Sequence, residues 1–259
     1  MTWTTRPLSE RAGLSMIEAG SGPSVLLIHG VGLQAEAWGA QIDALADAFQ
    51  VTAVNMPGHG GAPLLAEDAT LRDYTDAIAR STQGPVVVIG HSMGAMIALD
   101  MAVRYPSRVY GVAALNAIYQ RDATAQSAVQ ARAASLDGRT VADPAGTLDR
   151  WFGAQASAER TACGAWLRSA DPAGYRAAYH IFAQENGPKP DALAHLTCPA
   201  LFLTGALEPN STPAMSQTMA RLAPKGRAEI IDGAAHMMPM THPAHVNAQL
   251  LRFTKECTA

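Results

Sequence analysis

The run Pro85-Val-Val-Val-Ile89 leads straight into Gly90-His91-Ser92-Met93-Gly94, and a helical pattern follows to Tyr105, just before Pro106. The short β-branched run reads as a buried strand, and the helix is expected to end ahead of the proline. So tight a strand-to-helix turn forces its central residue into a strained backbone conformation, which flanking glycines tolerate because they have no side chain to clash. Ser92 is thereby pushed out at the carboxyl end of a sheet, where open α/β sheets bind their ligands. The alternative is a plain glycine-rich turn with an incidental serine. What the rest of the chain carries decides between them.

Further strands are expected at 24–28, 51–55, 109–115, 200–204 and 228–231, and helices at 35–49, 71–80, 212–222 and 243–254. In the helix at 35–49, Trp38, Ile42, Leu45 and Phe49 recur at helical spacing. Strands alternating with helices argue for an α/β fold with a mostly parallel central sheet covered on both faces. The alternation fails between 117 and 195, where 21 of 79 residues are alanine and no buried strand stands out. Asp143-Pro144, Asp171-Pro172 and Gly187-Pro-Lys-Pro190 interrupt this stretch, which reads as several short helices inserted between two strands. Trp151, Phe152, Trp166, Leu167, Tyr175, Tyr179 and Phe182 argue against a loose loop there. The expected organisation is a core of residues 1–116 and 196–259 with a helical insertion at 117–195.

Composition removes whole classes of function. Charged residues make up 16% of the 259, against a typical ~25%, and 19 basic against 22 acidic side chains give a net charge of −3. No basic excess exists to neutralise a phosphate backbone, so nucleic acid is not an expected partner. No apolar stretch approaches the ~20 residues of a membrane span, and residues 1–10 carry no apolar run of signal-peptide length. A cytoplasmic protein without membrane attachment is the expectation. Cys163, Cys198 and Cys257 are odd in number and widely spaced, which supports neither a disulfide framework nor a metal site.

Three further motifs sit around the serine turn. His29-Gly30-Val31-Gly32 follows the first apolar strand, Trp38 precedes Gln41-Ile42 and Leu45, and Asn55-Met-Pro-Gly-His-Gly60 follows the strand at 51–55. Together with Gly90–Gly94 they resemble the α/β-hydrolase superfamily, in its capped serine esterase and enol-lactone hydrolase branch, over nearly the whole chain. The third motif is similar to the family's D-x-P-G-x-G turn with Asn55 in place of aspartate, a change expected to cost little. The resemblance implies the α/β-hydrolase fold, with the inserted helices as a cap over the site.

A Ser92 nucleophile requires a carboxylate and then a histidine, in that chain order. Of eight histidines, His29 and His91 fall in the family's loop motifs and read as structural, while His242 and His245 flank Pro243 at a helix start. His236 sits in the irregular stretch after the strand at 228–231 and is the expected general base. For the acid, Gly205-Ala-Leu-Glu208-Pro resembles the family's G-x-x-D-P loop and offers Glu208. A second location used in the family offers only Asn116, and Asp232 reads as fixing the loop. The family's geometry implies an oxyanion hole from the backbone N–H groups of Val31 and Met93, each such donor being worth roughly 3–4 kcal/mol.

The expected function is that of a serine hydrolase cleaving a small carboxylic ester or lactone, with no cofactor and no metal. Two alternatives stay open: a C–C bond hydrolase of the aromatic-degradation type, and a non-catalytic small-molecule receptor on the same fold. Aspartate-dependent dehalogenase or epoxide hydrolase chemistry is excluded by serine at 92. The insertion carries Arg121, Arg132, Arg139, Arg150, Arg160, Arg168 and Arg176. They read as solvated charges balancing nearby acids, or else one of them turns inward to clamp a substrate carboxylate. Met237, Met238 and Met240 read as pocket lining or core filler.

Overall fold

The computed structural model describes residues 6–259; residues 1–5, which head the expected core segment, lie outside the described residues. Eight strands form one sheet in the order β1-β2-β4-β3-β5-β6-β7-β8. They are β1 (Ser9–Arg11), β2 (Leu14–Ala19), β3 (Ser24–Ile28), β4 (Gln50–Val54), β5 (Val86–His91), β6 (Val109–Leu115), β7 (Ala200–Gly205) and β8 (Gly226–Ile231). The pairings β1–β2 and β2–β4 are antiparallel, and the rest of the sheet is parallel.

The apolar strands split their side chains by the period of two. Leu26, Ile28, Val86, Val88 and Phe202 face one core, packed with α2 (Leu71–Arg80), α3 (Met93–Arg104) and α9 (Pro213–Leu222). Val25, Leu27, Val87, Ile89, Leu201 and Leu203 face the other, packed with α1 (Gly39–Leu45) and α11 (Pro243–Thr258). A strand buried on both faces has no polar alternation, which is why these runs read as continuous apolar sequence.

Two expectations need correction. The helix expected at 35–49 is a 3-10 turn at Ala35–Trp38 followed by α1, which ends at Leu45 because the chain must turn to start β4 at Gln50. The hairpin β1–β2 lies outside the expected strands. Its two-residue loop holds Ala12 at φ 53° and Gly13 at φ 78°, the pattern of a type I′ turn. Alanine at the first of those positions hides the usual Asn-Gly signal.

Between β6 and β7 lie α4 (Ala123–Ala134), α5 (Ala145–Phe152), α6 (Ala158–Ser169), α7 (Pro172–Gln184) and α8 (Pro190–Ala194). The side chains of Asp122, Ser157 and Asp171 cap α4, α6 and α7, and Pro172 opens α7. α7 meets the core where Gly174 and Gly58 touch backbone to backbone; a Cβ on Gly174 would lie 2.0 Å from the Gly58 carbonyl oxygen. Among the described residues, no helix is long and apolar enough to cross a membrane.

Ser92 joins β5 to α3 at φ 58° and ψ −118°. The two outer glycines of the pentamer are obligatory on steric grounds. A Cβ on Gly90 would stand 2.0 Å from the Gly94 carbonyl oxygen, and a Cβ on Gly94 would stand 2.1 Å from that of Ile28 in β3. Both obstacles are backbone, so neither can swing aside. Gly94→Ala is therefore expected to cost about 2–3 kcal/mol, read as a fall in melting temperature of roughly 5–10 °C; an unchanged melting temperature would contradict this close approach.

Candidate active site

The carboxyl ends of five neighbouring elements converge. β3 is followed by His29–Gly32, β5 by Ser92, β6 by Asn116, β7 by the loop with Glu208, and β8 by the loop with His236. A cavity of about 340 Å³ opens over them. Gly30, Val31, Ser92, Asn116 and His236 line its floor, while Arg132, Arg150, Trp151, Tyr175 and Tyr179 from the insertion line its roof.

Glu208 and His236 meet directly. The imidazole Nδ1–H donates to Glu208 Oε2 at 2.8 Å, and Glu208 Oε1 accepts from the N–H groups of Asn210 at 2.8 Å and Ser211 at 3.2 Å. Burial by itself would raise the Glu208 pKa. The facing imidazole and the two N–H groups outweigh burial and hold it at about 2. The carboxylate is thus ionised, fixed on both oxygens, and buried. Ser92 lines the same cavity as His236, with no hydrogen bond between the two.

Asn116 takes a different part from the one considered for its position. At φ 50° it turns its amide inward, donating to the His236 carbonyl at 2.8 Å and to Glu208 Oε2 at 3.4 Å. His91 donates through Nε2–H to the same carbonyl at 2.8 Å. The backbone under His236 is pinned from two strands. Asp232, in contrast, is exposed.

The motif histidines His29 and His91 are structural staples, as expected, and His59 joins them. His29 Nε2 accepts from Met56 N–H at 3.0 Å while its Nδ1–H donates to Gly30. His59 Nε2 accepts from Gly32 N–H at 3.0 Å, which fixes the turn that presents Val31. Burial pushes His29 and His91 down to about 3 and His59 to about 4, so all three stay neutral at pH 7. Asn55 uses both ends of its amide: Oδ1 accepts from Ala35 N–H at 2.8 Å, and Nδ2 donates to Ser15 Oγ at 2.9 Å. Met93 opens α3, where a helix leaves N–H groups without an intrahelical acceptor. Its side chain packs into the core, away from the cavity.

The roof is positive. Arg121, Arg132 and Arg150 all line the cavity, Arg121 buried, Arg132 half-buried and Arg150 exposed. Arg121 is bound within the fold: it donates to the Glu185 carbonyl at 2.6 Å and lies over the Phe182 ring at 4.5 Å. Arg132 and Arg150, from α4 and α5, have no carboxylate partner among the described residues. Arg150 donates to Thr147 Oγ1 at 3.1 Å. Burial raises the Tyr175 pKa, and the charges of Arg132 and Arg150 offset part of that rise. Arg160, away from the cavity, pairs with Asp149 at 2.6 Å. Met237, Met238 and Met240 are buried in apolar clusters and do not line the cavity. Arg132, Arg150 and Trp151 belong to no sequence motif. A charge on an alanine-rich helix shows its facing only once the helix is packed. Among the described residues no cluster of ligating side chains could hold a metal.

The folded Glu208 pKa lies below its ordinary value of 4.5, so the pair with His236 adds stability above that value and loses it as pH falls toward 2. Denaturation midpoints of Glu208→Gln are expected to fall less steeply than wild type over that acid range. Parallel slopes would show that Glu208 is not ionised in the fold.

The profile of the alpha/beta hydrolase family matches residues 25–249. The chain is 40% identical over 250 residues to the (E)-2-((N-methylformamido)methylene)succinate hydrolase of Acinetobacter baylyi, covering 94% of each. It is 31% identical to the pimeloyl-[acyl-carrier protein] methyl ester esterase of Stenotrophomonas maltophilia, covering 90% of this chain and 93% of that one. In structure it is similar to a thermophilic esterase from Thermogutta terrifontis, with a TM-score of 0.85 and 24% identity over 98% of this chain and all of the other. The match along nearly the whole chain and the shared sheet place it in one family: this chain belongs to the alpha/beta hydrolases.

Proposed function

We propose that the chain is a serine hydrolase that transfers to water the acyl group of a small substrate bearing carboxylates. The observation that carries this reading is the cavity itself, with Ser92 and His236 at its floor and two unpaired guanidinium groups, Arg132 and Arg150, in its roof. Unneutralised arginines in a partly buried cavity favour an anionic ligand, and a planar fork suits a carboxylate. The relative from Acinetobacter baylyi is named for a substituted succinate, which carries two carboxylates and an N-acyl group. The esterase relative keeps an ester within reach as the bond broken. An ester, a lactone or an N-acyl enamine of a dicarboxylic acid would fit this site.

In this reading His236 takes the Ser92 proton and Ser92 Oγ attacks the acyl carbon. Glu208 holds the imidazole by Nδ1–H and stabilises the imidazolium that forms. The backbone N–H groups of Val31 and Met93 receive the developing oxyanion. The imidazolium then protonates the leaving group. Water, activated by the same imidazole, releases the acid and restores Ser92. The inserted helices act as the cap that reads the carboxylates.

Ser92→Ala is expected to abolish turnover of p-nitrophenyl butyrate and labelling by a fluorophosphonate probe. Retention of either would exclude Ser92 as nucleophile, and an unlabelled wild type would favour the receptor alternative. Arg132→Ala and Arg150→Ala should each lose roughly 10- to 100-fold in kcat/KM on dicarboxylate substrates, the scale of one charge-assisted hydrogen bond. Losses as large on p-nitrophenyl acetate would remove the carboxylate clamp. A screen of esters, lactones, N-acyl enamines and vinylogous diketones of matched acids identifies the bond, and diketone cleavage alone would favour C–C hydrolysis.

A further inference from the structure

The Glu208 bond fixes one nitrogen of the His236 ring, and His91 and Asn116 fix the backbone beneath it. The bond to Nδ1 gives the ring its direction, but torsion about the last side-chain bond of histidine is soft. Packing on the ring limits the motion that remains. The ring has two aromatic neighbours: His91, with centroids 4.9 Å apart at 51°, and Trp151, at 5.5 Å and 23°. His91 belongs to the sheet, whereas Trp151 comes from α5 in the insertion. The nearly parallel indole covers one imidazole face, and the neutral His91 lies against it at a steeper angle.

The helix carrying this indole is seated on the same loop. Leu148 of α5 shares a buried apolar cluster with Met237, the residue after His236, and with Cys163 and Leu167 of α6. Arg150, one residue before Trp151, lines the same cavity. One short helix therefore supplies an anion-facing guanidinium and the cover of the imidazole.

We propose that Trp151 is a positioning residue for the base, its indole holding the His236 ring in the plane that serves Ser92 and favouring the imidazolium formed during attack. This rests on the serine-hydrolase reading above. An aromatic face attracts a cation through its quadrupole, which an aliphatic side chain of similar size cannot do. The benefit arises only when the imidazole is charged, so it belongs to the transition state rather than to substrate binding. Met237 follows His236 in its own loop, so the indole reaches the histidine from a different element.

The test compares Trp151→Phe, Trp151→Leu and Trp151→Ala in the full chain. It measures fluorophosphonate labelling rates, and kcat and KM on p-nitrophenyl butyrate, with melting temperature as the check on folding. Neither probe carries a carboxylate, so the arginines do not enter. Leu and Ala are expected to slow labelling and lower kcat by roughly 10- to 30-fold with KM within about threefold, while Phe stays within about threefold of wild type throughout. If Leu performs as well as Phe, or if KM alone rises, Trp151 is a wall of the cavity and the proposal fails. Should Ala not fold, the Phe and Leu pair decides. A wild type that the probe does not label would instead overturn the serine-hydrolase reading, and the base with it.

Discussion

α3 lies against β3 with nothing between them but backbone: Gly94 leaves no room for a Cβ beside the Ile28 carbonyl, and Gly90 leaves none beside Gly94. That approach swings the chain from strand to helix in one residue and leaves Ser92 to absorb the strain at φ 58°. Helix α3 shares one apolar core with the central strands, and those strands bury their other face in a second, so the turn is anchored in buried structure. The loop after β3 then lines the same cavity as Ser92. The other parts of the site are placed relative to this turn.

Around that turn the fold divides its electrostatics into two layers. Behind the floor stand neutral histidines whose protonation burial suppresses, each spent on holding a loop, plus one carboxylate kept ionised by its own loop and by His236. The roof holds guanidinium groups that the protein does not neutralise. Charge that the fold leaves unpaired beside a cavity is charge available to a ligand. The floor would serve any acyl group. Selectivity in the proposed reading comes from the roof.

Much of this was legible in the sequence, for physical reasons particular to each part. The parallel strands are buried on both faces and so announce themselves as apolar runs, while β1 and β2 at the sheet edge, with Ser15 and Glu18 among their residues, do not. Glu208 and His236 were reachable because a serine turn imposes a chain order and because both follow recognisable strands. Asn116 cannot carry the charge of an acid. Its role as a donor depends on a left-handed backbone at the end of β6, which composition does not encode. Arg132, Arg150 and Trp151 acquire their meaning from how α4 and α5 settle on the core, and short alanine-rich helices give little sign of which face will turn inward.

The central claim is that the roof selects carboxylates for a reaction at Ser92. Its most direct measurement is the ratio of kcat/KM for (E)-2-((N-methylformamido)methylene)succinate to that for its neutral dicarboxamide counterpart. Two lost charge-assisted contacts correspond to a preference of roughly 100-fold or more for the dicarboxylate, and that preference is the predicted result. Equal values for the two compounds would contradict the account.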